Sequence, residues 1–219
     1  MKKLTLFAFM LGGFLSQAQN NLTIEEATLG AQRGFGTKAI YGAQWRTNNE
    51  LTYIDATYKA LVSKKTDKST VENFVTTADL ESAIAAATNE KVSLRSIPFD
   101  YHWENDKEFA FTYQGENDKY FVIYNVETKK VSKTIKFNAS SAEEIIAPNK
   151  NYIVYLNKNN VEIVLNNGEV VKVTNDPDHV INGSSNTHRN EFGIDRGMWV
   201  SPDSKKILFY KKDERMVKD

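Results

Sequence analysis

The sequence contains no cysteine and carries no net charge, and each absence removes several classes of function. Without cysteine among its 219 residues, the chain has no disulfide, no thiolate metal site and no cysteine nucleophile. Lysine plus arginine and aspartate plus glutamate both number 28, so the overall charge attracts neither nucleic acid nor an anionic membrane. We therefore expect no nucleic-acid partner. With 41% hydrophobic residues, the chain can still bury a substantial core.

Motifs for phosphates, cofactors and metals are also missing. Gly30, Gly34 and Gly36 precede no lysine followed by serine or threonine and no helical pattern, which argues against a phosphate-binding loop. The histidines and aspartates within residues 176–188 match no spacing that is typical of a metal-ligand set. We expect no cofactor and no metal.

The N-terminus has the pattern of a secretory signal peptide. Lys2 and Lys3 precede an apolar run from Leu4 to Leu15, and the small-residue stretch 16–18 follows. The apolar run is about a dozen residues, whereas a membrane-spanning helix needs roughly 20. We expect cleavage near Ala18, no membrane span afterwards, and a bacterial periplasmic or secreted location. A buried N-terminal helix is the alternative, but it explains the charged start less well.

After the leader, short runs rich in β-branched and aromatic residues alternate with turn residues, which predicts antiparallel strands. The run from Val161 to Val173 has Asn167-Gly168 between two β-branched halves, which predicts a hairpin with a two-residue turn. The runs 120–126 and 130–137, separated by a polar turn, predict a second hairpin. The natural interpretation is an antiparallel meander.

One stretch, residues 77–87, has helical periodicity instead. Leu80, Ile84 and Ala87 recur at helical spacing after a Thr/Asp start that can cap the free N–H groups of a first turn. This pattern predicts one inserted helix in an otherwise all-β chain.

Four segments also resemble one another: QWRTNNELTYI from Gln44, HWENDKEFAFTY from His102, APNKNYIVYL from Ala147 and WVSPDSKKILFY from Trp199. Each leads from an aromatic or proline position through a polar turn into an apolar strand. The units recur roughly every 45 to 60 residues, which is typical of propeller blades with insertions. About four blades of a partial β-propeller are therefore predicted. A β-sandwich with a helical insert would share the hairpins, but it would not explain the recurrence.

Candidate hydrolytic residues cluster near residue 184 without the expected spacing. Ser184, Ser185, His188 and Asp178 have the chemistry of a nucleophile, a base and an orienting acid. However, the serines are followed by Asn186 in a polar stretch, not by the glycine and helix of a nucleophile elbow. An ordinary loop is the better interpretation, and we expect no catalytic residue in this chain.

The run HRNEFGIDRGMWVSPDSKKILFYKKDERMV, residues 188–217, resembles the propeller domain of the dipeptidyl peptidase IV family. Its opening HRNEFGI is especially similar to bacterial prolyl tripeptidyl peptidases. A weaker, collinear similarity extends over the mature chain, so we expect residues 20–219 to form the N-terminal part of such a propeller. The resemblance implies eight blades in all, of which about four are present here.

The resemblance also implies that Glu191 binds the free α-ammonium of a peptide substrate, with Phe192 either shaping the same pocket or belonging to the core. A partly desolvated carboxylate can make a charge-assisted hydrogen bond to an ammonium that an internal peptide lacks. The alternative is a solvated glutamate or one paired with Arg189 or Arg196. The implied activity is a serine exopeptidase that releases N-terminal di- or tripeptides after proline.

Three departures from the family limit what can be carried over. Asn190 stands where the dipeptidyl peptidase IV pattern has a further glutamate, so the source of a second amine anchor stays open. The loop 112–119 contains no arginine, although the family offers one to the substrate backbone. The catalytic triad belongs to a downstream α/β-hydrolase domain, and Asp219 precedes it, so we expect this fragment alone to be inactive.

The expected partners are a peptide with a free amino terminus and the downstream hydrolase domain, with a homodimer allowed for the full-length protein. A non-enzymatic periplasmic propeller that binds a protein partner is the alternative function. A sugar-binding or scaffold propeller has no support beyond aromatics such as Trp45 and Trp103, which blade packing explains as well.

Overall fold

The computed structural model describes residues 23–29, 39–187 and 193–217. The chain divides into two compact units, residues 1–39 and 40–219. In the first unit the structure describes a short helix, α1 (Ile24–Leu29). The predicted signal peptide, residues 1–18, lies outside the described residues.

The second unit consists of antiparallel sheets that follow one another along the chain. The first sheet is β1 (Tyr41–Thr47), β2 (Glu50–Ile54), β3 (Ala60–Lys65) and β4 (Val71–Thr76). The second is β5 (His102–Asn105), β6 (Glu108–Gln114), β7 (Asp118–Asn125) and β8 (Lys130–Asn138). The third is β9 (Ala142–Ile146), β10 (Tyr152–Asn157), β11 (Asn160–Leu165) and β12 (Val170–Lys172). In each, the strands pair in chain order.

The remaining strands are short. They are β13 (Val180–Asn182), β14 (Met198–Val200), β15 (Ile207–Phe209) and β16 (Lys211–Asp213). β13 pairs with β16 and β14 pairs with β15. We call these four strands, with the loops between them, the C-terminal strand group.

Apolar side chains fill the spaces between successive sheets. In the second sheet, alternate residues of β6 and β7 point to opposite faces, as strand geometry requires. Phe109 and Phe111 pack toward the first sheet, whereas Ala110 and Phe121 pack toward the third. A further cluster joins the third sheet to Met198 of the C-terminal strand group. Consecutive sheets therefore stack face to face in series.

The predicted helix is present as α2 (Thr77–Thr88) and covers the core between the first and second sheets. Thr76 caps it, and the side chains of Thr76 and Asp79 each accept a hydrogen bond from the other's backbone N–H. Leu80 and Ile84 are fully buried as expected, but Ala87 is exposed and Ala83 takes its place on the buried face.

Both predicted hairpins form, but the turn at Asn167-Gly168 is not the predicted two-residue turn. The Gly168 N–H donates to Leu165 O, and the Leu165 N–H donates to Glu169 O, so the loop has three residues, 166–168. Gly168 alone has a positive φ, 86°. This is a type I turn followed by a left-handed residue, which also matches the twist of the strands.

Each of the four similar segments contains the turn and the second strand of a hairpin, and these hairpins are β1–β2, β5–β6, β9–β10 and β14–β15. The described chain is thus all-β apart from its short helices, with several antiparallel sheets in series, and it is consistent with a β-propeller fragment. A two-sheet sandwich does not fit, because more than two sheets stack among the described residues.

Candidate functional site

The sequence-predicted site residues Glu191 and Phe192 lie within residues 188–192, outside the described residues. The structure does describe the chain on both sides of them. Ser185–Thr187 form a 3₁₀ turn before this segment, and Gly193 resumes the described chain after it.

The two ends of the segment 184–196 meet at one place in the C-terminal strand group. Tyr210, between β15 and β16, accepts a hydrogen bond from the Gly183 N–H (2.8 Å) and donates one to Gly197 O (2.9 Å). In a strand, the N–H and C=O of one residue point to the same side. Gly183 and Gly197 are therefore neighbours on one edge, and the segment 184–196 leaves and rejoins the sheet at that point.

This point, which we call the loop neck (Gly183, Ser184 and Gly197), is tightly packed. A Cβ atom at position 197 would lie 2.2 Å from Ser184 O and 2.5 Å from Gly183 O. No side chain fits at this distance, so only glycine allows the two backbones to approach so closely.

Next to the loop neck lies an open cavity of about 510 Å³. Its walls come from the first strands of the second and third sheets, from β14 of the C-terminal strand group, and from the loop before β14. Its lining residues are His102, Glu143, Glu144, Ile145, Ile146, Lys150, Ser185, Asp195, Arg196 and Met198. The lining therefore combines an apolar part with three carboxylates.

Glu143 joins the third sheet to the 3₁₀ turn. Both of its carboxylate oxygens accept from the Ser185 N–H at 2.9 Å, and Oε1 also accepts from the hydroxyls of Ser185 (2.9 Å) and Ser184 (3.2 Å). Its φ is 52°, in the left-handed region that residues with a side chain seldom occupy. The two serines considered as nucleophiles thus act as hydrogen-bond donors to a carboxylate.

Glu144 is paired with a lysine from the neighbouring sheet. Lys119 Nζ lies 2.5 Å from Glu144 Oε1, and the Ser141 hydroxyl donates to the same oxygen at 2.7 Å. Burial alone would raise the pKa of Glu144, but the hydrogen bonds from Lys119 and Ser141 outweigh it and hold that pKa below its ordinary value. Glu144 is thus a stable anion in the cavity wall.

A second charged group lies at the rim. Glu104 Oε1 contacts Lys150 Nζ at 2.7 Å and His102 Nε2 at 3.0 Å. Asp195 and Arg196 lie side by side, with 3.5 Å between Asp195 Oδ1 and Arg196 Nε. The cavity rim therefore offers both signs of charge to a ligand with both charged and polar groups.

The loop between β6 and β7, within residues 112–119, has no arginine, as the sequence shows. Lys119 stands at its end, but its ammonium is held by Glu144 and by Ser141 O (2.8 Å). This lysine helps to position a cavity carboxylate and links the second and third sheets.

The aspartates and histidines near residue 180 serve the local structure. Asp176 accepts from Lys211 Nζ and from Asn182 Nδ2 (3.1 Å), and the Lys211 hydrogen bond holds the pKa of Asp176 below its ordinary value. The backbone oxygens of Asp178 and His179 accept from Asn159 and Glu214. Across residues 23–29, 39–187 and 193–217, no three metal-ligating side chains come together.

Glu143 and Glu144 were not predicted as site residues. The sequence around them, SSAEEII, reads as an ordinary start of a strand. Their partners stand far away in the chain, so no local spacing could have identified them.

None of the helices in the described part of the chain is long and apolar enough to cross a bilayer.

Comparisons with known proteins agree with the fold. The sequence profile of the family described as the dipeptidyl peptidase IV (DPP IV) N-terminal region matches residues 102–219, more than half of the chain. This range contains the second and third sheets, the C-terminal strand group and the segment with Glu191. A search of curated protein sequences found no match.

Among solved structures, the chain is similar to a Bacteroides ovatus protein assigned as a dipeptidyl aminopeptidase IV, with 25% sequence identity and a TM-score of 0.63. The similarity covers 83% of this chain and 24% of that protein. Porphyromonas gingivalis dipeptidyl peptidase 4 matches with 16% identity and a TM-score of 0.49, over 88% of this chain and 28% of that one. The chain thus spans about a quarter of the length of these structures.

Proposed function

Since the chain belongs to the dipeptidyl peptidase IV family, we propose that it is the N-terminal β-propeller part of an exported serine exopeptidase. The complete enzyme releases di- or tripeptides from the amino terminus of its substrates, after proline. The sheets described above are then about four blades of an eight-bladed propeller. A downstream α/β-hydrolase domain supplies the catalytic serine, aspartate and histidine, and the enzyme works in the periplasm or outside the cell.

Within this proposal, Glu191 binds the α-ammonium of the substrate. The observation that carries it is the position of the family match, which includes the segment 188–192, together with a cavity lined by residues that flank this segment in the chain. Ser185 on one side of the segment and Asp195 on the other both line this cavity. A peptide amino terminus carries a positive charge and backbone hydrogen-bond groups, which suit a lining that includes three carboxylates and other polar groups.

A cavity closed on one side by an apolar wall also suits a short peptide. Ile145, Ile146 and Met198 provide this wall, and Met198 is buried in the core behind it. The polar residues of the rim can meet the backbone, while the apolar wall receives a side chain. Ligand sites of this mixed character are typical of proteins.

The proposal is tested in the complete protein with the substitution Glu191→Gln. We expect kcat/KM for proline peptides with a free amino terminus to fall roughly 30-fold, equivalent to about 2 kcal/mol for a lost charge-assisted contact. N-acetylated peptides should be poor substrates of the native enzyme and should not become poorer. Glu169→Gln, which removes an exposed carboxylate in the β11–β12 turn, serves as the matched control.

Two results would contradict the proposal at different levels. Unchanged kinetics of Glu191→Gln on an unblocked proline peptide would reject the amine anchor alone. A complete protein that neither reacts with a fluorophosphonate nor cleaves such peptides would reject the exopeptidase. The non-enzymatic propeller would then be the better interpretation.

A further inference from the structure

Glu143 combines two features that seldom occur together in a residue at the start of a strand. Its backbone has a φ of 52°, and its side chain accepts hydrogen bonds from a turn 42 residues further along the chain. A left-handed backbone at a residue with a Cβ is unfavourable, so the surroundings must hold it there. The register shift of the β9–β10 pairing between Ala142 and Ile145 accommodates this conformation. The carboxylate contacts to Ser184 and Ser185 then fix the side chain.

The bond to the Ser185 N–H fixes the backbone of the 3₁₀ turn, not only a side chain. This backbone contact fixes where Ser185 lies in the cavity wall. The loop neck constrains the other end, because Gly197 rests against Ser184 O. The segment 184–196 is therefore held at its base from two sides, by Glu143 and by the close glycine contact.

We propose that Glu143 is a positioning residue of the peptide site, which acts through the Ser184–Ser185 backbone and sets where Ser185 lies in the cavity wall. The inference rests on the proposed function. It differs from a direct binding role, because the Glu143 carboxylate is already occupied by the two serines. Its loss should displace the part of the cavity wall that Ser185 forms.

The test uses two substitutions in the complete protein, Glu143→Ala and Glu143→Gly. Both remove the carboxylate, but only glycine also relieves the unfavourable backbone conformation. We expect both to lower kcat/KM for free-amine proline peptides about tenfold or more, as misplaced binding groups do. The loss should come mainly from a higher KM, with kcat little changed.

A general loss of stability would give a different pattern. Glu143→Gly should be more stable than Glu143→Ala in thermal unfolding. If Glu143 had only a structural role, Glu143→Gly would therefore also be the more active of the two variants. Equal activity losses despite unequal stability support positioning, and losses that follow stability overturn it. Glu169→Gln should behave like the native enzyme in both measurements.

Two further variants separate the contribution of the Ser185 N–H contact from that of the Ser185 hydroxyl contact. Glu143→Gln retains an oxygen that can accept from the Ser185 N–H, so it should retain more activity than Glu143→Ala. Ser185→Ala keeps the backbone donor and removes only the hydroxyl, so its effect should be smaller still. Hydrogen exchange of the Ser185 amide should be slow in the native protein and in Ser185→Ala, and faster in Glu143→Ala. An unchanged exchange rate in Glu143→Ala would contradict the contact itself.

Glu191→Gln, measured in parallel, separates the two proposals. If Glu191→Gln impairs free-amine peptides and the Glu143 variants do not, only the positioning role fails. If neither residue matters, both the amine anchor and the positioning role fail, and the fluorophosphonate and cleavage tests decide separately whether the protein is an exopeptidase.

Discussion

The stacked sheets and the C-terminal strand group are stabilised in different ways. Between the first, second and third sheets, aromatic side chains such as Phe109, Phe111 and Phe121 are fully buried. The strands of the C-terminal group have three residues each, and Leu208 there is 68% exposed. A smaller apolar cluster around Met198 joins this group to the third sheet, and hydrogen bonds add to it: Asn149 N–H to Ser204 Oγ, and Tyr152 OH to Ser204 O.

The stacked sheets, which form the framework of the fold, and the region around the cavity therefore differ in the interactions that hold them. Apolar burial is insensitive to small changes in direction, so it gives a stable stack but does not fix individual polar groups. Hydrogen bonds contribute less stability each, but they specify position. The cavity lies at the boundary between the two regions, and three pairs of substitutions test that division.

The largest effect is expected from Phe109→Ala in the stacked sheets. Phe109 is fully buried and its ring contacts those of Tyr101 and Trp103, with centroids 5.8 and 5.3 Å away. Removing it should lower the free energy of unfolding by about 3–5 kcal/mol, from lost burial and the cavity left behind. Urea denaturation followed by circular dichroism measures this.

Leu208→Ala, in the C-terminal strand group, is the comparison for that substitution. Because this side chain is mostly exposed, its loss should change the free energy of unfolding by less than about 0.5 kcal/mol. Equal losses for the two variants would show that apolar burial does not distinguish the two regions.

A smaller loss, about 1–3 kcal/mol, is expected from Gly197→Ala at the loop neck, because the new methyl group would overlap the Ser184 backbone. Gly168→Ala tests positive φ without crowding, since nothing lies within 4 Å of its Cβ position. It should cost about 1 kcal/mol. If the midpoint of urea denaturation falls no further for Gly197→Ala than for Gly168→Ala, the backbones at the loop neck are less closely packed than the structure shows.

The smallest effect concerns Lys119→Met, which removes the partner of Glu144. A carboxylate with a lowered pKa stabilises the fold at pH values above its unfolded pKa of about 4.5, and this contribution is lost as the pH falls through the folded pKa. The variant should therefore be about 0.5–1 kcal/mol less stable at pH 7, with the difference shrinking below pH 4.5. Unfolding curves across this pH range measure it.

Lys107→Met supplies the control for that pair. Lys107 and Glu127 are 3.0 Å apart, but both side chains are more than half exposed. Solvent should screen this pair, so the substitution should have almost no effect at any pH. A similar pH dependence in both variants would mean that the cavity pair has no special environment.

Local patterns in the sequence were enough to predict the hairpins, the helix α2 and the serial arrangement of similar units. Each of these depends on periodicity or turn residues within a few positions. The turn after Leu165 was predicted with one residue too few, because Asn-Gly is compatible with more than one hairpin loop. Ala83 and Ala87 also differ by one turn of helix, so spacing alone could not decide which of them is buried.

The site was harder to predict than the framework. Glu143 depends on Ser185 and Glu144 on Lys119, and both contacts join residues from different sheets. Only the stacking order brings them together. The expectation for Glu191 and Phe192 came from resemblance, and it stays a prediction because both lie outside the described residues.

The chain-order pairing of the strands also determines when each part can form during synthesis. Each of the first three sheets is complete once an unbroken stretch of polypeptide has left the ribosome, because no later residue is needed for its ladder. β13 is different, since it must wait for β16 at residues 211–213. The pairing of β13 with β16, beside the cavity, is thus the last step in forming the described fold. A chain that is still being translated would have three complete sheets but an incomplete cavity.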